Sequence, residues 1–80
     1  MQDDIYKQAL KLERDGKWDA AHELIQDVPT KEAAWIHAYL HRKEGDQWNA
    51  EYWYRRADQP VYNGSLDEEW NALHRHFSDV

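Results

Sequence analysis

The sequence predicts an all-α domain of two stacked antiparallel helical hairpins followed by a C-terminal capping helix. Apolar residues recur at helical spacing in five segments, and no segment carries the pattern that is typical of a strand. Glycine and proline residues separate those segments. The surroundings of Gly16 recur around Gly45, 29 residues later, and this repeat indicates that the first four helices form two similar hairpins.

The composition indicates one small domain that lacks covalent crosslinks. The chain has 80 residues and no cysteine, so disulfides and thiolate metal sites are excluded. Five tryptophans and five tyrosines supply the apolar area that a small core needs, since each buried ring removes roughly 150–250 Å² from water. We therefore predict a single helical domain over residues 1–80.

The charge argues against two classes of partner. The net charge is −6, whereas a nucleic-acid-binding surface needs a basic field that attracts phosphates. The chain contains no run of about 18 apolar residues, which is the length needed to cross a membrane. The first residues also lack the pattern of a signal peptide. We expect a cytoplasmic protein that binds neither nucleic acid nor membranes.

The first hairpin is predicted over residues 3–28. Its helices, about 3–15 and 18–27, each carry apolar residues at helical spacing on one face. Gly16 ends the first helix because glycine accepts a left-handed backbone, and Pro29 ends the second.

The second hairpin is predicted over residues 31–58. Thr30 is a suitable N-cap for a helix over about 31–44, since its hydroxyl can accept a hydrogen bond from a free backbone N–H group. Gly45 ends that helix, and a fourth helix follows over about 46–57.

A loop over 58–64 leads to a capping helix over 65–77. Ser65 and Glu68 form a capping box, in which each side chain binds the backbone N–H group of the other residue. Four large apolar residues then lie on one narrow stripe, namely Leu66, Trp70, Leu73 and Phe77.

These patterns together predict the core. Its members lie on the inner faces of the helices that the spacing defines. They are Ile5, Ala9, Leu12, Ala21, Ile25, Ile36, Leu40, Trp53, Tyr54, Leu66, Trp70, Leu73 and Phe77.

Two segments resemble a known family. "RDGKWDAAHELI" and "KEGDQWNAEYWYRRA" resemble the middle of a tetratricopeptide repeat, in which a glycine turn precedes an aromatic residue and a small–large–small helix face. The period of 29 departs from that family's roughly 34 residues. The segment "AWIHAYLHRKEGD" with "NAEYWYRRA" is also similar to small uncharacterised, mainly bacterial proteins, a resemblance that implies no activity. The tetratricopeptide resemblance implies a helical scaffold that binds a protein or peptide.

The stretch "QWNAEYWYRR" divides between two sides of the fourth helix. Trp53 and Tyr54 share the face of Ala50, which the repeat assigns to the core. The opposite side carries aromatic and basic residues, which are enriched at binding hot spots. Either the C-terminal helix or the loop around Tyr62 covers that side, or it is a binding surface formed by Trp48, Tyr52, Arg55 and Arg56.

Trp35 and Tyr39 lie one turn apart on the third helix, and Arg42 follows them. The tetratricopeptide resemblance implies that this side lines a concave groove. Rings and cations there would suit an acidic or carboxylate-ended peptide. In the alternative interpretation, Trp35 packs under the first or the fifth helix.

His37 and His41 are four residues apart on one helix face, and Glu44 follows a turn later. This spacing can place two imidazoles and a carboxylate around a zinc ion, but it assures no further ligand. Histidines between alanines also fill space where helices contact, so we expect neither a metal nor a cofactor.

The chain lacks the sequence signatures of an enzyme, such as a phosphate-binding loop or a nucleophile elbow. We predict a non-catalytic module that binds a protein or peptide, or a second copy of itself. In the alternative, the chain is a structural or accessory domain with every ring in the core, or holds metal at His37 and His41. The predicted binding residues are Trp35, Tyr39, Arg42, Trp48, Tyr52, Arg55 and Arg56.

Overall fold

A computed structural model describes residues 2–78, with side chains from Ile5 onward, and this part of the chain forms five α-helices and no strand. The all-α class is therefore confirmed. Each predicted helix boundary lies within two residues of the observed one. The helices are α1 (Gln2–Arg14), α2 (Trp18–Ile25), α3 (Lys31–Lys43), α4 (Gln47–Arg56) and α5 (Leu66–Ser78).

The predicted helix caps are confirmed. The Thr30 hydroxyl accepts a hydrogen bond from the Ala33 N–H group at 3.1 Å and so begins α3. At the start of α5, the Ser65 N–H group donates to Glu68 Oε1 at 2.8 Å, and the Glu68 N–H group donates to Ser65 Oγ at 3.1 Å. Both caps satisfy backbone donors that the first helical turn leaves free.

Three helices end in the same type of turn, with a left-handed residue two positions after the last helical residue. These residues are Gly16 (φ 83°), Gly45 (φ 89°) and Asp58 (φ 59°). After α4, the Asp58 N–H group donates to the Arg55 carbonyl at 3.1 Å, and the Gln59 N–H group donates to the Tyr54 carbonyl at 3.0 Å. The two glycine turns are predictable from sequence, whereas an aspartate in this conformation gives no such signal.

Replacing Asp58 with glycine is expected to stabilise the protein by about 0.5–1 kcal/mol, because a left-handed backbone strains any side chain that has a Cβ atom. The ion pair that is lost, Lys31 Nζ to Asp58 Oδ2 at 3.6 Å, lies on the surface and contributes little. Thermal denaturation should show a melting temperature several degrees above that of the wild type. Asp58→Ala is the matched control and should melt below the wild type; a glycine variant that melts no higher would contradict the prediction.

The helices pack in pairs, with α1 against α2 and α3 against α4, while α5 contacts both α1 and α3. The main core joins α1, α2, α3 and α5, and a smaller cluster of Ala38, Ala50 and Tyr54 joins α3 to α4. Trp70 Nε1 ties α5 to α1 by donating to the Leu10 carbonyl at 3.1 Å. A tetratricopeptide-like stacking of the two pairs stays a prediction.

Most of the predicted core is buried, but the buried face of α1 differs from the predicted one. Ile5 and Leu12 lie at its edge, whereas Tyr6, Leu10 and Glu13 are buried. The Tyr6 ring stacks on the Phe77 ring with 4.7 Å between their centroids, so the buried face of α1 packs against α5. The predicted residues that are only half-buried are Ile5, Leu12, Trp53, Leu66 and Trp70.

No helix within residues 2–78 combines the length and the apolarity that a bilayer crossing requires.

Candidate functional site

The glutamate Glu69 of α5 is fully buried, with 0% of its surface exposed, and three donors from other helices surround its carboxylate. Trp35 Nε1 donates to Oε2 at 3.2 Å, and Arg42 Nη1 donates to Oε1 at 2.9 Å. The Tyr54 hydroxyl also donates to Oε2. A buried carboxylate is stable only when it is paired and hydrogen-bonded, and Glu69 has both kinds of partner.

The glutamate Glu13 of α1 is similarly buried, with 3% exposed. The Tyr39 hydroxyl donates to its Oε1 atom at 3.1 Å, and Lys43 Nζ forms an ion pair with its Oε2 atom. Burial, and after it the charge of the neighbouring glutamate, raises the pKa of Tyr39 well above its ordinary value. Burial, and after it the hydrogen bond to Glu69, raises the pKa of Tyr54 in the same direction. Both phenols therefore stay protonated and donate.

Three residues predicted to bind a partner are occupied by these glutamates. Tyr39 is 2% exposed, so its predicted role as a binding residue is wrong: its ring is in the core and its hydroxyl binds Glu13. Trp35 and Arg42 are half-buried and bind Glu69. At these three residues, the side of α3 that was expected to bind an acidic peptide binds carboxylates of α1 and α5 of the same chain instead.

The sequence carries a signal for both buried glutamates. Glu69 comes three residues after Leu66 and four before Leu73, so it lies inside the apolar stripe of α5. Glu13 comes three residues after Leu10, on the buried face of α1. An acidic residue within an apolar stripe indicates a buried carboxylate that needs donors from another element.

The outer side of α4 is exposed. Trp48 leaves 77% of its surface in solvent and Tyr52 leaves 40%, and the neighbouring Arg55 and Arg56 are exposed as well. We call these four residues the α4 face. The expectation that the loop around Tyr62 covers them is wrong, because Tyr62 packs against the cluster between α3 and α4 instead. The other candidate cover, α5, packs mainly on α1 and α3, and it meets α4 at the buried Tyr54 hydroxyl on the inner side of that helix rather than at the α4 face.

Within the α4 face, arginine and aromatic side chains are adjacent. The Arg56 guanidinium lies 5.8 Å from the centroid of the Tyr52 ring and 5.3 Å from that of Trp53. Arg56 Nη1 also donates to the Tyr52 hydroxyl at 3.3 Å. Among the side chains that the structure describes, no carboxylate forms an ion pair with Arg55 or Arg56. Both cations thus keep donors for an external acceptor.

The predicted histidine pair on α3 gains a third member from α2. Ring nitrogens of His22, His37 and His41 all lie within 4.8 Å of one another, and we call these residues the histidine cluster. The Nε2 atoms of His22 and His37 are 2.9 Å apart. Glu44 binds His41 Nδ1 at 2.7 Å on the outside. No local pattern could have identified His22, because it meets α3 only through the packing of α2.

Two members of the histidine cluster, His22 and His37, have pKa values that favour the uncharged ring at neutral pH. Burial, and after it the charges of His22 and His41, lowers the pKa of His37 to about 3. Burial, followed by the charge of His41, also lowers the pKa of His22. Protonated rings at such distances would repel one another, and a neutral imidazole ring has a nitrogen lone pair that can accept a proton or a metal ion.

Comparison with protein-family models, curated proteins and solved structures gave no match, so both sequence resemblances stay predictions and function is inferred from the geometry above.

Proposed function

We propose that this chain is a non-catalytic protein-binding module, and that the α4 face holds an acidic segment of a partner protein. The exposure of Trp48 is the observation that carries the proposal, since 77% of a tryptophan side chain faces solvent beside a second exposed ring. Trp, Tyr and Arg are the residues enriched at binding hot spots, where a large ring is desolvated by the partner. The α4 face presents all three types within three helical turns.

The charge of the α4 face supports an acidic partner. The whole chain has a net charge of −6, but the α4 face has two guanidinium groups. Neither forms an ion pair with a side chain that the structure describes. Guanidinium groups bind carboxylates in a two-pronged geometry, and adjacent rings cover the aliphatic part of an acidic side chain. A partner segment with carboxylates beside apolar residues matches both features.

The alternative in which every aromatic ring is in the core does not hold for Trp48 and Tyr52. Self-association through the α4 face would use the same exposed rings, and the test below separates it from binding to another protein. The absence of catalysis and the cytoplasmic location stay predictions from the sequence.

Replacing Trp48 and Tyr52 with alanine together is expected to weaken partner binding at least about tenfold, because hot-spot tryptophans contribute 2 kcal/mol or more. Wild type and variant would capture partners from a cell lysate, and synthetic peptides of each captured protein would locate the bound segment. Fluorescence anisotropy with those peptides gives the affinities. The loss of stability should stay below about 1 kcal/mol because the rings are exposed, and circular dichroism checks this.

Charge reversal separates the role of the arginines from that of the rings. Arg55→Glu/Arg56→Glu should also lose the acidic peptide, whereas Lys7→Glu/Lys11→Glu, an equal charge change on the exposed side of α1, should bind it like the wild type. Sedimentation velocity of the wild type and of Trp48→Ala/Tyr52→Ala reports self-association. Equal peptide binding by the wild type and the Trp48→Ala/Tyr52→Ala variant, or a bound segment without carboxylates, would refute the proposal.

A further inference from the structure

We infer that His22, His37 and His41 form a binding site for one divalent transition-metal ion, with zinc as the ion that suits it best. The site lies between α2 and α3 and shares no residue with the α4 face. Three imidazoles supply three ligands, and they leave a fourth position for water or another donor.

The distances between the ring nitrogens fit a single ion after a small adjustment. Nitrogens bound to one tetrahedral zinc at about 2.0–2.1 Å lie about 3.4 Å apart. In the histidine cluster, the His22 and His37 Nε2 atoms are 2.9 Å apart, and all three ring nitrogens lie within 4.8 Å. The distances in the cluster thus lie on both sides of the value for a tetrahedral zinc site, and binding requires only a local adjustment of the rings.

Neighbouring groups hold the rings in place. Glu44 Oε1 lies 2.7 Å from His41 Nδ1 and fixes that proton, so the lone pair of His41 is left on Nε2. The Trp53 ring stacks on His37 with 3.9 Å between centroids, and the Trp18 ring stacks on His22 with 5.0 Å. Metal-binding histidines usually donate their second ring N–H group to an acceptor, and Glu44 provides one for His41, whereas the stacked rings restrict the rotation of His22 and His37.

The charges around the histidine cluster favour a cation. The carboxylates of Asp19, Glu23 and Glu44 all act on His22 in the direction that stabilises positive charge there. A divalent ion among three neutral rings would gain from the same field.

Two simpler arrangements compete with this one. A hydrogen bond between the Nε2 atoms of His22 and His37 satisfies those two rings without a metal, although it gives no role to His41. A second set of possible ligands, His41 with Glu44 and Asp46, shares His41. The carboxylate of Asp46 already accepts hydrogen bonds from the Asn49 N–H group and side chain, however, and caps α4.

The test is a titration of chelator-treated protein with zinc chloride alone, followed by calorimetry and by native mass spectrometry. We expect one zinc per chain, shifts in the NMR signals of the His22, His37 and His41 rings, and a melting temperature raised by about 5 °C or more. His22→Gln and His41→Gln should each bind zinc at least about tenfold more weakly. They are preferred to a His37 variant because His22 and His41 are only half-buried and their replacement is less disruptive.

Two controls make the outcome decisive. His74→Gln removes an exposed histidine outside the cluster, and Asp46→Asn removes the competing carboxylate while it keeps a good N-cap. Both should bind zinc like the wild type. The proposal is overturned if stoichiometric zinc moves no histidine signal, if folded His22→Gln binds as tightly as the wild type, or if Asp46→Asn loses binding instead.

Discussion

Glu69→Ala is expected to lower the free energy of unfolding by about 3–5 kcal/mol, because it leaves a half-buried guanidinium without its counter-charge. It also removes the acceptor of the Trp35 and Tyr54 donors, and a buried donor without an acceptor is costly. Small domains have only about 5–15 kcal/mol of stability in total. A large unfolded fraction is therefore expected for this variant at room temperature.

Urea denaturation followed by circular dichroism measures the loss of unfolding free energy in Glu69→Ala. Three further variants show which interactions cause that loss. Glu68→Ala removes the neighbouring, exposed acid and should cost only the capping bond, about 1 kcal/mol. Arg42→Ala and the Glu69→Ala/Arg42→Ala double variant complete a cycle, in which the double variant should lose less than the sum of the two single losses. A Glu69→Ala loss below 1 kcal/mol would show that the carboxylate does not organise the core.

Alkaline conditions are expected to destabilise the protein steeply above about pH 10, where free tyrosine ionises. Tyr39 and Tyr54 have raised pKa values in the folded state, so the folded chain keeps both protons while the unfolded chain releases them. The stabilising contribution is complete below the unfolded pKa and is lost as the pH rises through the interval up to the folded pKa. The free energy of unfolding should fall by about 1.4 kcal/mol per pH unit for each tyrosine, or about 2.7 for both.

Urea denaturation at several pH values between about 9 and 12 measures this slope. Tyr39→Phe/Tyr54→Phe removes both phenols and keeps both rings, so it should be less stable at pH 7 but show a markedly smaller slope. Tyrosinate absorbance provides a second readout, since these two phenols should ionise only as the helical signal disappears. An unchanged slope in the double variant would mean that groups other than these two phenols control the alkaline transition.

The helix boundaries and caps could be predicted from the sequence because short-range interactions determine them. Gly16 and Gly45 end helices through their own backbone freedom, and Ser65 and Glu68 satisfy each other three residues apart. Helical geometry also predicted that Trp48 lies on the side of α4 that points away from the core. That no other element covers it depends on where the loop and α5 pack, which local patterns do not determine.

The site residues that sequence reasoning placed wrongly depend on contacts between distant segments. The donors on α3 were expected to bind the carboxylates of a partner, whereas the acceptor of Arg42 is Glu69, which comes 27 residues later and from another helix of the same chain. The contact between His22 and His37 likewise joins two helices, and the two residues are 15 positions apart in the sequence. Helical periodicity identifies the face on which a residue lies, whereas it does not identify which helix packs on that face.

The position of Glu69 also has a consequence for synthesis on the ribosome. The donors of α3 and α4 are translated before α5, so the emerging chain carries Arg42 and Tyr54 for a time without their acceptor. Until α5 also emerges, these donors have no Glu69 carboxylate to bind, so the core between α3, α4 and α5 can close only after that helix has been made.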